Sequence, residues 1–194
     1  MDYYSEHEGR VYTEVELRLM GVTEGEAISA LGLSPLRYVM PVYDAGLYTV
    51  EPDGDPFFDG QVYVQKVATV ARPLEVARAE VKRRATAHRW TVETGGISVA
   101  NYGRVLTSIE DQNRIATAIQ GCTSANIQEV DFKGADGWVS ITREMLTQIS
   151  VLIAEHVQLC FTRERELHEA ADACTDVSML AAINIEADWP GQGA

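Results

Sequence analysis

Residues 129–173 read EVDFKGADGWVSITREMLTQISVLIAEHVQLCFTRERELHEAADA. The opening stretch, EVDFKGADGWVSIT, alternates apolar and polar side chains around Asp136-Gly137, a dipeptide suited to a hairpin turn. Thr142 stands at its end, where a hydroxyl that accepts a backbone N–H opens a helix. Beyond it Leu146, Ile149, Ile153, His156, Cys160, Leu167 and Ala171 recur at helical spacing, so one face of a long helix is apolar. Hairpins and helices in separate stretches make this an α+β chain. At 1.5 Å per residue, a helix over 142–173 measures about 48 Å. That outlasts a domain of this size, so its last turns are expected to project or to meet a partner.

The same order extends on both sides. Upstream, Leu74, Ala77, Val81, Ala85 and His88 define an amphipathic helix through about Trp90, and GISVANYGRVLT reads as a second hairpin. Ser108 and Asp111 resemble a capping box before a helix that carries Ile109, Ile115, Ala116 and Ile119. Downstream, Asp176 caps a short final helix and ADWPGQGA closes the chain as a polar tail. Arg72–Pro73 is the expected domain break, because proline suits a helix's first turn. Before it, TEVELRLM and TEGEAISALGL read as short helices capped by Thr13 and Thr23 and stopped near Gly21 and Gly32. RYVMPVYD, GLYTVE and GQVYVQKVATVA read as strands, and EPDGDPFFDG as a surface loop. The expected organisation is a mixed N-terminal unit with a sheet over 1–72, an α+β domain over 73–190, and a tail over 191–194.

Composition bounds the function. The chain has 194 residues, 46% hydrophobic, with a net charge of −13, enough for a real core and unsuited to general nucleic-acid binding. No apolar run approaches the roughly 18–20 residues of a membrane span, and the polar, acidic start MDYYSEHEGR does not read as a targeting leader. The expectation is therefore no nucleic acid and no membrane. Three widely spaced cysteines read as reduced thiols. Charge is uneven: a mildly basic island around Lys82, Arg83, Arg84, His88 and Arg89 lies between two acidic flanks. Such an island is either a helix face pairing with those flanks or a docking patch for an acidic partner.

Motifs for catalysis fail on reading. There is no P-loop, no GxGxxG after a strand and no GxSxG elbow. His168-Glu169 begins HEAAD, with Asp172 where a zinc protease needs its second His. Glu51, Asp53, Asp55 and Asp59 share an acidic turn but break the EF-hand pattern. His156, Cys160, Glu164 and His168 follow one another at four-residue steps, so adjacent members share a face. All four span about 18 Å of helix, too far to grip one ion, and His156 and Cys160 fall on the apolar stripe. No catalytic, cofactor-binding or metal residue is assigned, and no cofactor is expected. Carboxylate pairs that meet only in three dimensions are invisible here.

Residues 73–190 resemble a bacteriophage domain family of unknown function encoded beside tail-fibre genes. The resemblance is carried by GGISV, TSIEDQNRI, FKGADGWVSIT, HVQLCFTRERELHEAADAC and the closing INIEADWP, in that order. The ending is also similar to that of phage tail-fibre assembly proteins. Ser108 stands where the pattern has Asp, and Asp188 where Gly often precedes the Trp. The family carries no catalytic motif to transfer. What the resemblance implies is a non-enzymatic tail-associated protein that binds a tail fibre or baseplate protein. It would be an assembly factor made in the host cytoplasm, or a component that stays in the virion tail, where a homo-oligomer is one arrangement. The alternatives are a tail-associated envelope hydrolase and an acidic DNA-mimic inhibitor.

Two sets of residues are candidates for the partner. Tyr3 and Tyr4 lie in a polar N-terminal arm that could anchor on a neighbour. Leu167, Ala171, Leu180 and Trp189 continue the apolar stripe past the hairpins that can cover it. An extended segment would bury them against a fibre or a second copy, with Trp189 as the anchor.

Overall fold

The computed structural model describes residues 1–22, 25–100, 102–134 and 137–191. The chain divides into two compact units, Met1–Pro73 and Leu74–Ala194.

In the first unit, six strands form one sheet: β1 (Asp2–Ser5), β2 (Arg10–Tyr12), β3 (Leu33–Val39), β4 (Tyr48–Pro52), β5 (Phe57–Phe58) and β6 (Tyr63–Ala71). Their order is β2-β1-β3-β6-β4, with β5 also paired to β6. Only β3 and β6 run parallel, Leu36 lying opposite Tyr63 and Val39 opposite Lys66. Helices α1 (Glu14–Leu19) and α2 (Gly25–Ala30) connect β2 to β3. Thr13 caps α1 with a full capping box, its hydroxyl accepting from the Glu16 N–H and Glu16 accepting from the Thr13 N–H. The helix stops at Gly21, whose φ of +78° is left-handed. There the Val22 N–H reaches the Leu17 carbonyl and the Gly21 N–H reaches that of Arg18, the paired bonds of a Schellman end. Thr23, the expected second cap, lies outside the described residues.

The expected N-terminal arm is a strand. β1 lies inside the sheet, with Tyr3 opposite Tyr12 and Pro35, and Tyr4 opposite Val11 and Ser34. Tyr3 packs on Leu17, Ile28 and Leu33, and the Tyr4 ring sits 4.9 Å from that of Tyr63. Neither tyrosine is a free anchor, so that expectation is corrected. A polar segment this short has no readable period; it is a strand because β2 and β3 supply partners for its backbone. The acidic turn differs too. Glu51 and Phe57–Phe58 fall in strands, and Asp59 accepts from the N–H groups of Gln61 and Val62 at 2.9 and 3.0 Å. Those donors hold the Asp59 carboxyl below its usual range.

The second unit follows the expected order: α3 (Leu74–Thr94), the hairpin β7 (Ile97–Val99) and β8 (Gly103–Val105), then α4 (Ile109–Ala125). The hairpin β9 (Glu129–Gly134) and β10 (Gly137–Thr142), α5 (Arg143–Ala173) and α6 (Val177–Ala181) complete it. Ser108, Thr142 and Asp176 each accept from the backbone N–H three residues on. Val99, Val105, Ile115, Ile141, Leu146, Ile149 and Ile153 form one core cluster, which joins both hairpins to α4 and α5. α3 lies antiparallel to α5, since its contacts step from Arg78 with Ala171 to the Val92 carbonyl with His156.

Candidate functional site

The carboxyl half of α5 is closed by its own chain. Leu167, Ala171, Leu180 and Trp189 are 3%, 0%, 1% and 2% exposed. Trp189 packs with Ala85, Cys160 and Leu167, flanked by Ile183 and Ile185. Its indole N–H donates to the Ile185 carbonyl at 2.6 Å. The extended segment is therefore corrected: the chain turns after Cys174, α6 packs on α3, and Trp189 is core. The stripe is satisfied because the residues after α5 fold back over it.

Polar side chains seal the same seam. Arg78 donates to the carbonyls of Ala171 and Cys174, and Lys82 pairs with Asp172 at 2.7 Å. Arg89 lies between Glu93 and Glu164, its guanidinium over the ring of Phe161. Arg83 and Arg84 both bind Glu80, and these bonds hold its carboxyl down at about 2. Lys82, Arg83, Arg84 and Arg89 of the basic island thus pair within their own helix and across to α5, while the His88 ring lies 5.2 Å from that of Trp189.

The row at four-residue steps is tied up likewise. His156 donates through Nε2 to the Val92 carbonyl at 3.1 Å, and His168 through Nε2 to the Lys82 carbonyl at 3.2 Å. Glu164 accepts from Thr86. Burial pushes the Cys160 thiol up to about 11, so at neutral pH it is protonated and a poor nucleophile. Among the described residues, no three His, Cys, Asp or Glu side chains are grouped to hold a metal ion.

The amino half of α5 is held differently. Buried Leu146, Ile149, Ile153 and His156 form a narrow seam, while Val151, Leu152, Leu159 and Phe161 are 52%, 43%, 55% and 48% exposed. Between Glu144 and Arg163 the sequence carries one charge, Glu155. By length and composition α5 could cross a membrane, although only 28% of its most apolar stretch is buried. It holds no unbroken apolar run of that length, since Thr147, Gln148, Ser150, Glu155 and Gln158 interrupt it.

Beside that seam is a groove of about 560 Å³. Leu152, Glu155, His156 and Leu159 of α5, Val92 of α3, Ile97 and Ser98 of β7, and Pro190 line it. Gly96 sets its upper wall: φ is +93°, and a Cβ there would meet the Val105 carbonyl oxygen at 2.8 Å. The buried Thr107 hydroxyl accepts from the Gly96 N–H and donates to the Glu93 carbonyl, fixing the exit of α3. Glu155 is exposed and makes no hydrogen bond or ion pair with the described residues. The groove therefore offers apolar contact and one unpaired negative charge. Sequence reasoning missed it, although a charge scan along 143–163 isolates Glu155.

The family described as Domain of unknown function (DUF4376) matches residues 76–188. No curated protein and no solved structure matches the chain.

Proposed function

This chain belongs to the DUF4376 family, which covers 76–188, and from that premise we propose that it is a non-enzymatic, tail-associated bacteriophage protein. In this reading it binds a tail fibre or baseplate protein as an assembly factor, made in the host cytoplasm and either released or retained in the virion tail. The phage connection rests on the resemblance carried by residues 95–99, 107–115, 132–142, 156–174 and 183–190. The single observation that supports a binding role is the amino half of α5, uncharged except for Glu155 and exposing Val151, Leu152, Leu159 and Phe161. Leu152 and Leu159, seven residues apart on one face beside Val151, form an exposed apolar strip of the kind that can hold another chain. A net charge of −13 keeps such a protein soluble while that surface is open.

Mass spectrometry of purified virions, together with deletion of the coding sequence, tests the proposal. Fibre-stoichiometric copies mark a retained component. Absence from virions, with misassembled fibres in the deletion, marks a released factor. Normal fibres without the protein, and no copies in the particle, sink both.

A further inference from the structure

Within the binding role proposed above, the occupant of the groove beside α5 can be specified. We propose that it takes an apolar peptide segment carrying a lysine or arginine, whose cation pairs with Glu155. The groove walls include Val92, Ile97, Leu152, Leu159 and Pro190 beside Ser98, His156 and the backbone of Gly96 and Gly191, so their apolar portion suits aliphatic or aromatic side chains. Glu155 is the one acidic group lining it, and its carboxylate has no partner among the described residues.

Charge decides between possible occupants. A second copy whose two-fold axis passed beside this groove would bring two Glu155 side chains toward each other, between two chains of −13 each. Like charges brought together at a contact disfavour it. A basic, apolar segment meets no such penalty and gains a charge-assisted hydrogen bond at the rim. Of the other polar side chains in the lining, Ser98 is uncharged and His156 already gives its Nε2 proton to the Val92 carbonyl, which leaves Glu155 as the group that reads charge.

The test uses the full chain and two short, labelled amphipathic peptides, identical except for one central residue, Lys in one and Glu in the other. Fluorescence anisotropy at physiological salt, where fields beyond about 8 Å are screened, measures both. The Lys peptide should bind about three- to tenfold more tightly. Glu155→Gln should remove that preference and Glu155→Lys should reverse it, while Leu159→Asp should abolish binding of both. Circular dichroism establishes that each variant is folded; these positions are exposed. A Lys preference that survives Glu155→Gln comes from the net charge and overturns the inference, as does failure of both peptides to bind. Dimers by sedimentation that dissociate with Leu159→Asp would overturn it in favour of a second copy. Fibre binding that is indifferent to Glu155→Lys sinks the groove and spares the proposed function. The expected peptide preference without any fibre phenotype does the reverse.

Discussion

From Arg163 to Ala173, α5 is held by ion pairs and hydrogen bonds as well as by packing, whereas from Met145 to Phe161 apolar packing does most of the holding. The carboxyl half has Arg78 and Lys82 reaching over from α3, and Arg163 donating to the Ala187 carbonyl at 3.1 Å. α6 and Trp189 close its apolar side. The amino half presses Leu146, Ile149 and Ile153 into the core, and His156 ties it to the Val92 carbonyl of α3. The helical period marks the buried seam equally well in both halves. What separates them is the outward faces, which are charged in one half and, apart from Glu155, uncharged in the other, where Val151, Leu152 and Leu159 are exposed among Thr147, Gln148 and Gln158. Surplus apolar surface, and with it the candidate binding site, lies where the charges are missing.

The sharpest way to break this comparison is Trp189→Ala. A core indole in the closed half should cost about 3–5 kcal/mol, measured as a drop in the urea midpoint. An unchanged midpoint with weakened fibre association would instead restore Trp189 as a partner anchor. Next in size, Arg89→Met leaves Glu93 and Glu164 facing each other without their cation. With both carboxylates largely buried, the expected loss is about 3 kcal/mol, read by thermal unfolding.

Glu80 supplies a smaller, pH-dependent effect. Its carboxyl is held at about 2, below the ordinary 4.5, by hydrogen bonds from Arg83 and Arg84. A depressed folded-state value adds stability that is complete above about pH 4.5 and lost as pH falls through about 2. For a pair this close to solvent the gain is less than about 1 kcal/mol. The gap in Tm between the parent and Glu80→Gln should therefore be present at pH 7 and largely closed by pH 2. A gap of the same size at both values would mean that the ion pair is irrelevant. The smallest stability effect belongs to the open half: Val151→Ser and Leu159→Gln should each shift unfolding by no more than about 0.5 kcal/mol. A loss above 2 kcal/mol would show that these side chains are covered in the folded chain.

Local signals carried much of the fold. Thr13, Ser108, Thr142 and Asp176 cap helices where a short polar side chain precedes an apolar period. Gly137 opens the second strand of its hairpin, and the order from α3 to α6 follows from such punctuation. These features are legible because each depends on hydrogen bonds within a few residues. β1 and β2 were not legible. MDYYSEHEGRVY has neither alternation nor length, and it is a strand pair because β3, twenty-eight residues beyond Ser5, offers its edge.

The site divides in the same way. That Leu167, Ala171, Leu180 and Trp189 share an apolar character could be read directly from spacing and composition. Whether they face a partner or their own chain depended on where the residues after Cys174 travel. No period encodes that path, and the tertiary structure sends it back over α3. Likewise, the isolation of Glu155 between Glu144 and Arg163 is a property of the sequence alone. Its position over a groove is not, because the walls come from α3, β7 and the closing tail. A helix's sequence determines which side chains share a face, since 3.6 residues per turn is a local constant. Which face is covered is decided by packing between distant segments, where burial of one apolar stripe competes with every other surface in the chain.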